Sequence, residues 1–129
     1  MSATPDDRKY QKTHEWVRVE DGLAHIGITD YAQESLGDIV FVELPEKGDS
    51  LGKGDEITTI ESVKAASPIY TPVGGTIQEV NAELEDTPEL INQDPYNTFI
   101  VVIKMEGSLD ESELMDNNAY DEFVEQEKE

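Results

Sequence analysis

The chain has 129 residues, with thirty acidic side chains against seven lysines and two arginines, and a formal net charge of −21. That charge repels phosphate backbones and anionic bilayers, which argues against nucleic acid and membrane surfaces as partners. Without cysteine there is no disulfide, thiol nucleophile or thiolate metal site, and His14 and His25 alone offer little for imidazole catalysis or zinc. The length suits one domain over residues 1–129. The N-terminus from Met1 to Asp7 is polar and acidic, unlike a secretory or transit segment, and no run approaches the roughly 20 apolar residues of a membrane span. A cytoplasmic location is expected. Abundant acid with scarce lysine reads as halophilic adaptation, because a Debye length of about 3 Å at 1 M salt suppresses self-repulsion. An ordinary acidic protein is the alternative.

Along the chain, Trp16 to Glu20 alternates as a half-buried strand. Asp21-Gly22 supplies the turn of a tight hairpin, with Leu23 to Ile28 as the return strand. Thr29-Asp30 caps a short helix through Leu36, and Gly37 stops it. Ile39 to Leu44 is the most strand-like run, ended by Pro45. Turns at Gly48-Asp49 and Gly54-Asp55 precede a strand from Glu56 to Glu61. Pro68 to Pro72 is extended, since each proline steers its predecessor toward β. Gly74-Gly75 leads into a strand from Thr76 to Val80. Thr87-Pro88 starts a helix with proline at its first position, and Asp94 to Asn97 turns into a strand from Thr98 to Lys104. Ser108-x-x-Glu111 reads as a capping box opening a helix. Ala119, Tyr120, Phe123 and Val124 form a later helical stripe, and the acidic tail 125–129 is expected to fray. Short strands with peripheral helices predict a compact β-sandwich or barrel. Trp16, Tyr31 and Phe41 read as core aromatics, and His14 and His25 as structural or surface.

One lysine stands apart. Lys64 lies between Val63 and Ala65 in the run Thr59 to Ser67, flanked by a strand and an extended segment. It therefore sits near an exposed hairpin bend with small neighbours, a suitable place for a modifying enzyme to approach an amine. A plain solvated lysine is the competing reading, and composition alone favours it.

Glu61-Ser62-Val63-Lys64-Ala65 resembles the lipoyl-acceptor motif of the glycine cleavage system H protein family. His14-Glu15-Trp16, Gly27 to Gln33, Leu36 to Pro45 and Leu90 to Tyr96 resemble that family's other blocks in order and spacing, and the resemblance covers about residues 10–124 as the core of the domain. The resemblance implies a flattened barrel-sandwich of the lipoyl/biotinyl kind, two small antiparallel sheets with a C-terminal helix. It implies a non-catalytic carrier with lipoate joined by an amide to Lys64, and Glu61 and Ser62 read by the lipoate-attaching enzyme. The other implied partners are a pyridoxal-phosphate glycine decarboxylase, a tetrahydrofolate-dependent aminomethyltransferase and an FAD-dependent dihydrolipoamide dehydrogenase. Glu15, Ile28, Ala32, Ser35, Leu36 and Pro68 match the family's cleft for the arm. Glu15 is either a partner for the arm's amine or a carboxylate solvated at a strand start. Ser35 and Pro68 stand where some relatives carry His and Asp. Phe99 replaces the family's Trp near the last strand. A lipoate relay to other acceptor domains shares every motif, and an unmodified interaction module is a further alternative.

Overall fold

A computed structural model of the chain describes residues 4–128. Its elements in order are β1 (Lys9–Tyr10), β2 (Glu15–Glu20), β3 (Leu23–Ile28), α1 (Asp30–Leu36), β4 (Ile39–Val42), β5 (Ser50–Leu51), β6 (Glu56–Ser62) and β7 (Ala66–Tyr70). There follow β8 (Gly75–Val80), α2 (Glu83–Asp86), α3 (Leu90–Gln93), β9 (Val101–Met105), a 3-10 turn (Glu111–Glu113) and α4 (Asn117–Lys128). Two antiparallel sheets result: a six-stranded one ordered β1-β2-β3-β9-β8-β5, and a three-stranded one ordered β4-β6-β7.

The β2–β3 hairpin shows how local chemistry sets register. Glu20 pairs with Leu23, so only Asp21 and Gly22 make the turn, at φ of 52° and 76°. Such a turn matches the twist of the flanking strands and tolerates few residue types besides Asn, Asp and Gly. Period-two alternation then points Ala24, Ile26 and Ile28 into the core beside Val101 and Ile103 of β9. From the smaller sheet Ile39, Val42, Ile60 and Ile69 face the same cluster. A second cluster of Tyr10, Trp16, Tyr120 and Val124 seats α4 against β1 and β2.

Several boundaries differ from the sequence reading. The strand expected from Ile39 to Leu44 ends at Val42, and that expected from Thr98 begins its ladder at Val101. Thr98 to Ile100 are held instead by isolated bonds, such as Ile100 N–H to the Ile26 carbonyl (2.7 Å). Pro88 lies in the turn before α3, which starts at Leu90. The box at Ser108 opens no α-helix; Asp110 caps the 3-10 turn by accepting from Ser112 N–H. The stripe is in α4, although Ala119 is exposed and only Tyr120 and Val124 are buried. The acidic tail is continuous with α4, which runs to Lys128 with Glu127 joined to His14; Glu129 lies outside the described residues.

Trp16 is a core residue as expected, 2% exposed, and its ring lies over Gly27, its cross-strand partner. A Cβ at Gly27 would fall 2.5 Å from Trp16 Cζ2 and 2.9 Å from the Thr98 carbonyl oxygen. Gly27→Ala is therefore an overpacking change with no free side to move into. Urea denaturation should show a loss of roughly 1–3 kcal/mol.

Candidate functional site

Lys64 sits on the bend between β6 and β7, and the bend is built by one hydroxyl. Ser62 Oγ accepts from the backbone N–H of Lys64 (3.2 Å) and of Ala65 (3.1 Å), and donates to the Ala65 carbonyl (3.2 Å). Ser62 N–H closes the turn onto the same carbonyl at 2.8 Å. Val63 N–H donates to the Asp38 carbonyl (3.0 Å), tying the bend to the joint between α1 and β4. Asn92 of α3 clamps that joint: its amide donates to the Gly37 carbonyl and Gln33 Oε1, and its carbonyl accepts from Ile39 N–H, each at 2.9 Å. Lys64 itself is exposed, and its stem passes over Gly37, where an added Cβ would come within 3.2 Å of Lys64 Cε. Gly37 also holds φ at 78°, so both the helix stop and the lysine's path require glycine there.

Beside this joint, between α1 and β7, lies a cavity of about 150 Å³. Ile28, Ala32, Ser35 and Leu36, four of the six expected cleft residues, line it. Pro68 does not. Alternation on β7 turns Ser67 and Ile69 toward the cavity and sets Pro68 opposite Thr59 on the other face. Glu15 is also absent from the wall, and it is not solvated at a strand start. It is fully buried, with its carboxylate accepting from Thr13 Oγ1, Gln11 Nε2 (2.9 Å) and Tyr70 N–H (3.0 Å). Burial pushes its pKa up from 4.5 to about 7, against the opposing pull of those donors.

The wall also contains residues the sequence reading did not place there: Thr13, His14, Tyr31, Ser67 and Ile69. His14 has φ of 74°, an uncommon value for a non-glycine residue. Its Nε2 lies 2.9 Å from Glu127 and its Nδ1 2.8 Å from the Tyr120 hydroxyl, which is 2.6 Å from Thr29 Oγ1. With Nε2–H donating to Glu127, the neutral ring accepts at Nδ1 from Tyr120, and Thr29 donates to the Tyr120 oxygen. Burial lowers the His14 pKa and so favours this neutral form. α4 thereby closes one edge of the cavity. Tyr31, expected in the core, is half-buried and packs against His14 with the rings tilted at 50° and centroids 4.8 Å apart. Phe41, also expected in the core, is 49% exposed on the outer face of the small sheet. Glu61 is exposed directly opposite it.

The sequence model of the family described as "Glycine cleavage H-protein" matches residues 8–127. The glycine cleavage system H protein of Syntrophomonas wolfei is 55% identical over 124 residues, 96% of this chain and 95% of that protein. The protein of the same name from Carboxydothermus hydrogenoformans is 45% identical over the whole of both chains. Among solved structures, a glycine cleavage system H protein from Mycobacterium marinum superposes with a TM-score of 0.84. It is 34% identical and covers 98% of this chain and 100% of its own.

The raised pKa of Glu15 has a defined sign in stability. The folded state holds this proton more tightly than the unfolded chain does. Its contribution is therefore complete below about 4.5 and drains away as pH rises through about 7. His14, lowered by burial, acts oppositely, so the comparison with Glu15→Gln isolates the carboxyl. The stability of the wild type relative to Glu15→Gln should fall by roughly 2.5 kcal/mol between pH 5 and pH 8. Denaturant titrations giving the same difference at both pH values would overturn this.

Proposed function

The chain belongs to the glycine cleavage H-protein family, and from that premise we propose that it is the lipoyl-bearing carrier of glycine catabolism. In this reading it is no catalyst: it carries an aminomethyl group from a pyridoxal-phosphate glycine decarboxylase to a tetrahydrofolate-dependent aminomethyltransferase. An FAD-dependent dihydrolipoamide dehydrogenase then re-oxidises it. The observation that carries the reading is the placement of Lys64: an exposed amine on a pinned bend, beside a cavity with mainly apolar walls.

The residues fit lipoate attached by an amide to Lys64. The amine is accessible, Ala65 and Gly37 leave room for approach, and the lysine stem already lies across Gly37 beside Leu36 of the cavity wall. When bound, the dithiolane supplies the sulfur chemistry that a cysteine-free chain lacks. The protein's part is positional. Ser62 fixes the direction in which Lys64 leaves the bend, while Glu61 and Ser62 together present a surface for the lipoate-attaching enzyme. Ile28, Ala32, Ser35 and Leu36 offer the arm a wall. Glu15 supports that wall from beneath by holding Thr13, and Pro68 stiffens β7 from its outer side.

Cytoplasmic work in high salt completes the reading. No helix of the described residues is long and apolar enough to cross a membrane. The net charge of −21 leaves many like charges at short range unless salt screens them. The melting temperature should therefore climb by several degrees as potassium chloride is raised from about 0.05 M to about 2 M. An unchanged cooperative transition in dilute buffer overturns the halophilic assignment.

Lys64→Arg tests the attachment directly, since a guanidinium cannot form the amide. The variant should fold normally, gain no lipoyl mass with lipoate, ATP and a lipoate ligase, and support no glycine-dependent turnover in the reconstituted system. Turnover equal to wild type would overturn the assignment.

A further inference from the structure

Among the described residues four large apolar side chains are exposed: Val19, Val40, Phe41 and Val63. Three of them flank the Lys64 bend. Ile39 pairs with Ser62 and Phe41 with Glu61, so Val40 is an extra residue with no partner on β6. This bulge lets Ile39 and Val42 both point inward, at 3% and 2% exposed, while Val40 and Phe41 both remain outside at 56% and 49%. A regular strand would have turned one of those two inward. Val63, 66% exposed, adjoins Lys64 on the bend. Around the three lie exposed acids: Glu61 opposite Phe41, Glu43 beside Thr59, and Asp38, whose backbone carbonyl holds Val63.

We propose that this bulged face of Val40, Phe41 and Val63 is the docking surface for the lipoate-attaching enzyme, with Phe41 as its anchor. The inference rests on the carrier reading of Lys64. An apolar centre with an acidic rim suits a partner whose own face is apolar with a cationic edge. Position selects the attaching enzyme over the others. It must bring its active site onto Lys64 Nζ itself and so must cover the adjoining sheet face, whereas the other enzymes act on the dithiolane end of the arm. In the reaction ATP activates the lipoate carboxyl as an acyl adenylate, with loss of pyrophosphate. Neutral Lys64 Nζ then attacks the acyl carbon, the C–N bond forms, AMP leaves with the electrons of the broken C–O bond, and the amine proton passes to a base on the enzyme.

The test uses the full unmodified chain with a lipoate ligase, ATP and lipoate, followed by intact mass. Phe41→Ala should raise KM for the chain roughly thirty-fold, as loss of a central aromatic anchor does. Phe41→Asp should raise it further, kcat should change little, and Val19→Asp, an exposed apolar position away from the bend, should match wild type. Phe41→Ala loaded to completion with excess ligase should still be reduced by dihydrolipoamide dehydrogenase at the wild-type rate. A wild-type KM in both Phe41 variants, with native melting curves, overturns the docking surface and leaves the carrier reading intact. An equal loss in the dehydrogenase assay also overturns it, because the patch would then serve the arm's redox partner. If the wild-type chain itself gains no lipoyl mass, both readings fall.

Discussion

The inner face of the three-stranded sheet must be covered, and the six-stranded sheet covers it. Ile39, Val42, Ile60 and Ile69 come from one side, and Ala24, Ile26, Ile77, Val101 and Ile103 from the other. Apolar surface removed from water stabilises at roughly 25 cal/mol per Å², and this contact joins most of the buried apolar side chains into one cluster. It also decides where mobility is allowed. Ile60 and Ile69 root the two strands of the Lys64 hairpin in the core, so the hairpin cannot tilt as a body. Beyond them, Ser62 to Ala66 project past the packed layer. The lysine thus has a rigid base and a free end, the combination an attachment point requires.

The two ladders share no strand, so polar links between them rest on side chains. Glu15 on β2 accepts from Tyr70 N–H at the end of β7, and Gln11, also bound to Glu15, donates to the Tyr70 carbonyl at 3.1 Å. Asn92 makes a separate polar joint, tying α3 to α1 and to Ile39 of β4. A buried carboxyl is costly unless its oxygens are satisfied, and here three donors reach it. That requirement explains why Glu15 lies beneath the cavity instead of lining it. Its lone pairs are committed to holding the walls together, and its raised pKa records the burial that remains uncompensated.

Much of the fold was legible because short-range chemistry dictates it. Asp21-Gly22 admits a two-residue turn, and the Thr29 hydroxyl does accept from Ala32 N–H as an N-cap should. Lys64 was placed on its bend by the strands around it. The unread parts depend on long-range contacts. β1 and β5 are two-residue strands that exist only because β2 and β8 offer edges to them. α2 carries three acids in one turn and is seated by burial of Leu84, which periodicity over four residues cannot reveal. Phe41 reads as a core aromatic by residue type, and strict alternation from buried Ile39 would turn it inward; the bulge at Val40 puts it outside instead. Two of the missed cavity residues had a signal: alternation from buried Ile69 puts Ser67 on its face and Pro68 on the other. The role of His14 had none, since Tyr120, Phe123 and Glu127 lie more than one hundred residues away.

The bulge gives the small sheet two sides with separate duties. Its inward side belongs to the core, and its outward side keeps apolar groups in water beside the only cation of the bend. Once Lys64 is acylated, as in the carrier reading, its positive charge is gone and Glu61, Glu43 and Asp38 remain. Loaded and unloaded bends then differ by one full charge at a site already crowded with acids. Across about 4 Å near a surface that difference is worth on the order of a few kcal/mol before screening by salt. A cationic partner face would be held more tightly by the loaded form unless something offset the gain. An apolar anchor such as Phe41 provides an attraction that is insensitive to both loading and salt. In a chain this acidic, that makes the unmodified bend recognisable when the long-range field is screened to a few ångströms.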